Sequence, residues 1–287
     1  MPVLRSGFPH RPARSFAATT AGALLAVLAL LLGLPGTADA AAGRRAPEPT
    51  HPGQDWAGSQ IAKHEGTAGG ATPPAGSLAA SVEGVDVSSH NGNVAWSTLW
   101  NSGARFAYVK ATESTSYTNP YFAQQYNGSY NVGMIRGAYH FATPDTSSGA
   151  AQANYFVDHG GGWSKDGKTL PGALDMEYNP YGATCYGLSA AGLVNWMKDW
   201  FATYKARTGR DAVVYTSTGW WKQCTGNSSA FGAINPLWVP RYGSSVGELP
   251  AGWGFHTIWQ YTSTGPTVGD HNRFNGAYDR LQALANG

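Results

Sequence analysis

Between residues 82 and 261, apolar segments of strand length alternate with segments patterned as helices, and this alternation limits the fold more than any other feature of the 287-residue chain. Residues 82–87, 105–110, 134–141 and 169–177 read as strands. Residues 94–101, with Trp96, Leu99 and Trp100 at helical spacing, 119–130 and 147–158 read as the helices between them. The longest helical pattern, 189–205, opens on Ser189 as its N-cap and buries a stripe of Leu193, Trp196, Met197, Trp200 and Phe201. Further strands are expected at 212–216, 237–239 and 257–261, with a short one near Thr267 and Val268. Four to five βα units of about 30 residues imply parallel strands joined by right-handed crossovers. In the last third the helices give way to short strands separated by Gly and Pro. The fold expected is therefore α/β, a modified TIM-like β/α barrel with incomplete helical cover in the C-terminal third.

A barrel gathers its reactive residues at the carboxyl ends of its strands. Asp86 ends the first strand, and Asp175 and Glu177 end the strand entered through Pro171 and Gly172. Residues two apart on a strand project to one face, so Asp175 and Glu177 share one wall of the mouth. Carboxylates that close cannot both ionise at their free values, which yields one acid and one base near neutral pH, the division that glycoside hydrolysis uses. An isolated Asp-x-Glu is more often a solvated strand end, and it is the barrel context that favours the catalytic reading. The two cysteines, Cys185 and Cys224, follow the strands at 169–177 and 212–216 and are expected to form a disulfide between neighbouring mouth loops. No His stands at ligand spacing from either, and no metal is expected.

The first 40 residues are read as a signal peptide. Arg5, Arg11 and Arg14 precede an apolar run over 21–34, which is followed by the small-residue pattern Ala38, Asp39, Ala40. That run is shorter than the roughly 20 residues a bilayer span requires, so secretion without a membrane anchor is expected. Residues 41–80 hold seven Gly and five Pro but only Trp56, Ile61 and Leu78 as large apolar side chains, which suits a propeptide or flexible linker. A helical turn within 55–65, lying against the domain, is the one exception expected there. Residues 81–287 then form a single catalytic domain. Its thirteen basic residues balance its thirteen acids, so the net +2 lies outside it and nucleic acid is not the expected partner. The domain also carries ten of the eleven Trp and all fifteen Tyr, more than a core requires, and aromatic faces stack on sugar rings.

Seven segments occur in an order that resembles glycoside hydrolase family 25, the Chalaropsis-type lysozymes or N-acetylmuramidases. They are Gly84-Val85-Asp86-Val87-Ser88, Phe106-Ala107-Tyr108-Val109-Lys110-Ala111-Thr112-Glu113, Gly137-Ala138-Tyr139-His140-Phe141, Leu174-Asp175-Met176-Glu177, Leu237-Trp238-Val239, Trp259-Gln260-Tyr261 and Gly269-Asp270-His271-Asn272. The resemblance implies cleavage of the β-1,4 bond between N-acetylmuramic acid and N-acetylglucosamine in peptidoglycan, with retention of configuration and no cofactor. It implies Glu177 as general acid and Asp175 as the carboxylate that steadies the cationic centre. Asp86 and Asp270 would line the same groove, although spacing alone leaves Asp270 as readily in a polar surface turn. Tyr139, Phe141, Tyr178, Tyr215, Trp238 and Trp259 lie near strand ends and are candidates to contact sugar, about half of them being expected to do so. His140, mid-strand, reads rather as a core histidine than as a base. His90 and His271 sit in mouth loops as weaker substrate candidates, and Ser88 and Ser89 lack the elbow motif of a serine nucleophile. The chain is expected to act as a monomer on glycan strands. A wall-binding module with a dead barrel and a chitinase-like hydrolase are the alternatives, the latter disfavoured because Leu170 and Ala173 stand where that family's earlier aspartates would be.

Overall fold

A computed structural model describes residues 53–67 and 80–287, all within the compact unit Arg44–Gly287. The expected signal peptide and the rest of 41–80 lie outside the described residues. A short helix α1 (Ile61–Glu65) precedes the first strand, β1 (Val82–Val87). There follow α2 (Trp96–Asn101), β2 (Phe106–Glu113), β3 (Tyr117–Thr118), α3 (Phe122–Asn131), β4 (Ile135–Phe141), α4 (Gly149–Phe156), β5 (Ala173–Asp175) and α5 (Ala190–Thr208). The last third holds β6 (Val213–Tyr215), α6 (Thr218–Thr225), β7 (Leu237–Pro240), β8 (Ile258–Thr262), β9 (Asp270–Phe274) and α7 (Tyr278–Asn286).

Eight strands close into the expected barrel in the order β1, β9, β8, β7, β6, β5, β4, β2, with β2 pairing back to β1 and β3 hanging on β2 as a hairpin. Every barrel pairing is parallel except those of β9, which runs antiparallel to both β1 and β8. No helix separates β7 from β8 or β8 from β9, so helical cover thins where expected. Three details depart from the sequence reading. The last strand is Asp270–Phe274 and not Thr267–Val268, because a polar, charged sequence with no apolar run carries no strand signal until its neighbours pair with it. The helices α6 and α7 were not legible, being short and embedded in Gly- and Asn-rich sequence. The strand expected over 169–177 is regular only over Ala173–Asp175.

Alternate side chains of the strands divide the core. Phe106, Tyr108, Tyr139, Val213, Tyr215, Trp238, Ile258 and Phe274 fill the barrel interior. Leu174, Met176, Val214 and Val239 point the other way, against Leu193, Met197 and Trp200 of α5, which Ser189 caps as expected. His140 belongs to this outer set, bonded to Thr112 Oγ1 at 2.7 Å and Gln152 Oε1 at 2.9 Å and lying beside Phe156 and Trp200. Burial holds it neutral, with its pKa pushed down to about 4, as befits a core histidine.

Candidate active site

The same alternation builds the mouth of the barrel. Leu174 and Met176 go outward, so Asp175 and Glu177 turn inward together, although only Asp175 is within the strand proper. On β1, Val85 and Val87 face the outer layer while Asp86 faces in, where its Oδ2 accepts from Gln260 Nε2 at 2.9 Å and Asn272 Nδ2 at 2.7 Å. The antiparallel β9 presents its first residue at the level where parallel strands present their last, and Asp270 pairs in register with Asp86. Gly269 makes this entry possible. Its φ is +88°, and a Cβ there would stand 2.6 Å from the Asp86 carbonyl oxygen and 2.9 Å from Val87. Four acids from three distant stretches of the sequence thus share one small chamber, all of them buried.

Burial dominates their electrostatics, ahead of the like-charge neighbour that the Asp-x-Glu spacing suggested. It pushes the Glu177 carboxyl up to about 8, against the pull of the Gly58 and Gln60 backbone N–H groups and the Lys110 charge. Asp86 is pushed up to about 7 by burial, with the Gln260 and Asn272 bonds opposing. Asp175 is raised by burial and then by the Glu177 charge, and Asp270 by burial and then by Asp86 and Glu177. Neither oxygen of Asp175 nor Oε2 of Glu177 has a hydrogen-bond partner within the protein. With their pKa values raised to about 8 and about 7, Glu177 and Asp86 exchange protons near neutrality, as a group that gives a proton to a substrate must.

Several mouth residues carried no expected role. Lys110 and Glu113 are three apart on β2 and would face opposite ways on a regular strand, yet an irregularity in the β2–β4 register between Lys110 and Thr112 turns both inward. Lys110 Nζ lies 2.6 Å from Glu113 Oε2 and 3.4 Å from the Asp55 carboxylate. Burial works against the ammonium, but Glu113 and Asp55 outweigh it and hold its pKa above the ordinary value. Gln260, Asn272 and Tyr242 bind the acids, the last through a 3.5 Å contact with Asp270. A polar side chain in an inward position of an otherwise apolar strand is the signal that could have found Lys110 and Gln260.

The candidate sugar contacts divide. Tyr139 and Tyr215 reach the chamber with their hydroxyls, toward Ala57 N at 3.3 Å and Gln260 Oε1 at 2.9 Å. Phe141 lies under the Lys110 ammonium, 4.9 Å from ring centre to Nζ, and Tyr178 stands on the rim. Trp238 is enclosed by the rings of Tyr108, Tyr139 and Tyr215 and donates to Asn272 at 2.7 Å, so it supports the chamber from inside the barrel. Trp259 alternates with the inward Ile258 and Gln260 and donates to the Arg241 carbonyl at 2.8 Å, on the outer side of β8. His271 alternates with Asp270 and Asn272 in the same outward sense, its ring near Tyr261, while His90 stacks on Trp56 at 5.9 Å. The expected disulfide is formed between Cys185 and Cys224. Cys224 lies in the last turn of α6, so the bridge ties a loop to a helix rather than two loops.

A closed β/α barrel with buried, protonatable carboxylates at the carboxyl ends of its strands defines a glycosidase-type site. Residues 85–270 match the family model for glycosyl hydrolases family 25, and the chain belongs to that family. It is similar to Lysozyme M1 of Streptomyces globisporus, 50% identical over 210 residues that cover 71% of each chain. It is also similar to the N,O-diacetylmuramidase of Chalaropsis sp, at 49% identity over 72% of this chain and the whole of that one. The solved muramidase of Acremonium alcalophilum superposes with a TM-score of 0.71 and 56% identity, covering 72% of this chain and 99% of that one.

Proposed function

We propose that this chain is a secreted muramidase that hydrolyses the β-1,4 bond between N-acetylmuramic acid and N-acetylglucosamine in peptidoglycan. The observation that carries the reading is the shared inward turn of Asp175 and Glu177 beside Asp86 and Asp270, in a chamber whose burial raises the pKa of these carboxyls, that of Glu177 to about 8. The names of the relatives support the choice of substrate. Glu177 gives its proton to the leaving glycosidic oxygen, which its bare Oε2 is free to do. Asp175 lies across the reacting carbon and steadies the positive charge that develops there. Asp86 is fixed by Gln260 and Asn272, and Asp270 stands next to it. Together they bind the sugar and keep the chamber electronegative toward a cationic transition state. Tyr139, Phe141, Tyr178 and Tyr215 form the sugar-contacting surface. The signal peptide pattern of residues 1–40 accounts for secretion.

Mass spectrometry of digested cell walls tests the reading. Muramidase products end in reducing muramic acid. Products that end in reducing N-acetylglucosamine, or binding to walls without new reducing ends, would overturn it.

A further inference from the structure

The segment 53–67, upstream of the barrel in sequence, occupies the catalytic mouth. Ala57 is fully buried, and Asp55, Gln60 and Ile61 nearly so. The Gly58 N–H donates to Glu177 Oε1 at 2.7 Å, and the Gln60 N–H pulls on the same carboxylate. Gln260 Nε2 donates to the Ala57 carbonyl at 2.9 Å and Tyr242 Oη to the Gly58 carbonyl at 3.2 Å. On one flank Asp55 lies 3.4 Å from the Lys110 ammonium, which also donates to the Asp55 carbonyl, and it accepts from Tyr181 at 3.2 Å. On the other flank Glu65 accepts from Tyr178 at 2.9 Å, and His64 stacks flat on the Tyr178 ring at 4.1 Å. With Tyr139, whose hydroxyl accepts from the Ala57 N–H, these partners come from β2, β4, β8 and the loops after β5 and β7, on both sides of the mouth.

We propose that residues 55–65 are an intramolecular inhibitor, a strap that keeps the chain latent by filling the glycan groove and capping the proton donor. The claim rests on the muramidase reading only for the identity of the substrate it excludes. The two strap N–H groups occupy the Glu177 carboxyl and favour its ionised form, against the burial that raises its pKa, so the strap competes with a leaving oxygen for the proton donor. A glycan strand has to enter the same chamber, so strap and substrate exclude each other, and only the strap-free fraction of molecules binds. The relatives above align with about 210 residues of this chain, and the Acremonium muramidase with 72% of it, so their common part is the barrel. The strap is held by noncovalent contacts, and hydrolysis of a peptide bond between it and β1 by a peptidase converts it into a dissociable peptide.

Gly58 provides the test, because its φ is +95° and a Cβ there would stand 2.6 Å from Gln260 Oε1 and 2.9 Å from Tyr215 Oη, with Tyr242 Oη closer still. Gly58→Val therefore expels the strap without altering the barrel, and Asp55→Ala releases its Lys110 anchor. The full chain and both variants are compared on purified bacterial walls, by co-sedimentation and by release of reducing muramic acid. Both variants are expected to bind and cleave faster than the parent, Gly58→Val by about tenfold or more, since apparent affinity scales with the strap-free fraction. A gain of activity cannot arise from misfolding, and Asp55→Ala decides alone if Gly58→Val does not fold. A parent that binds and cleaves as well as the variants would overturn the strap. Variants that bind walls more tightly while no chain releases reducing muramic acid would leave the strap standing and overturn the muramidase reading.

Discussion

At the scale of single residues, the site is a group of carboxyls whose pKa values burial raises, and this separates the effects of mutation on activity and stability. Glu177→Gln removes the proton donor and should cost on the order of 10²-fold or more in turnover. It also removes a group that is costly to ionise at its position, so the melting temperature should hold or rise. Turnover on isolated walls and calorimetry on the same sample check both halves, and a variant that loses activity because it melts early would contradict them. Asp270→Ala should lower activity by roughly tenfold with little change in melting temperature, because it deletes a polar carboxyl from the wall of the chamber and only one long contact, to Tyr242. Near-parental activity of that variant would take Asp270 out of the groove's chemistry.

At the scale of elements, the order of the mouth depends on loops that the barrel ladder does not hold. The Cys185–Cys224 bridge fastens the loop carrying Tyr178 and Tyr181 to α6, outside the strand pairings. Its stabilisation is at most about 4 kcal/mol on the chain-entropy estimate for a loop of this length. Reduction should therefore loosen the rim before the barrel, and activity at raised temperature should fall while circular dichroism is still native. Simultaneous loss of both signals would show that the bridge holds the barrel itself. The closing strand β9 makes the complementary point. Polar at Asp270, His271, Asn272 and Arg273, it is a strand because β1 and β8 supply partners on both sides.

For the whole molecule, buried titratable groups set the pH dependence of stability. Asp86 and Glu177 have folded pKa values of about 7 and about 8, above the ordinary values of 3.8 and 4.5. The folded protein therefore keeps protons that the unfolded chain has released. The stability they contribute is full below about pH 4 and is lost as pH rises through 7 and 8, by about 1.4 kcal/mol per pH unit for each proton retained. His140 acts in the opposite sense. Its folded pKa of about 4 lies below the ordinary value of 6.5, so it costs stability as pH falls through that lower window. The melting temperature should thus fall between pH 6.5 and about 8, where the histidine no longer opposes the carboxyls, level off above that, and fall less in Glu177→Gln. A flat profile over that range in differential scanning calorimetry would mean that these acids are ionised in the folded protein.

The sequence alone determined the parts that depend on local pattern. The alternation of βα units, the Ser189 cap and the apolar stripe of α5 specify a barrel, and the spacing of two in Asp175 and Glu177 puts both acids on one wall wherever that segment is extended. The order of the seven segments pointed to family 25, to which the chain belongs. Tertiary structure decided what depends on pairing between distant segments. The antiparallel direction of β9 brings Asp270 into register with Asp86. The irregularity in β2 turns Lys110 and Glu113 to the same side. The strand phase sends Trp259 outward and encloses Trp238 in the barrel. Residues 53–67 show the difference most clearly. Their composition lacks the apolar side chains to form a core of their own, yet the polar chamber of the barrel supplies partners for their backbone and for Asp55 and Glu65. A segment of that kind acquires structure from its binding site, and no window of its own sequence contains that site.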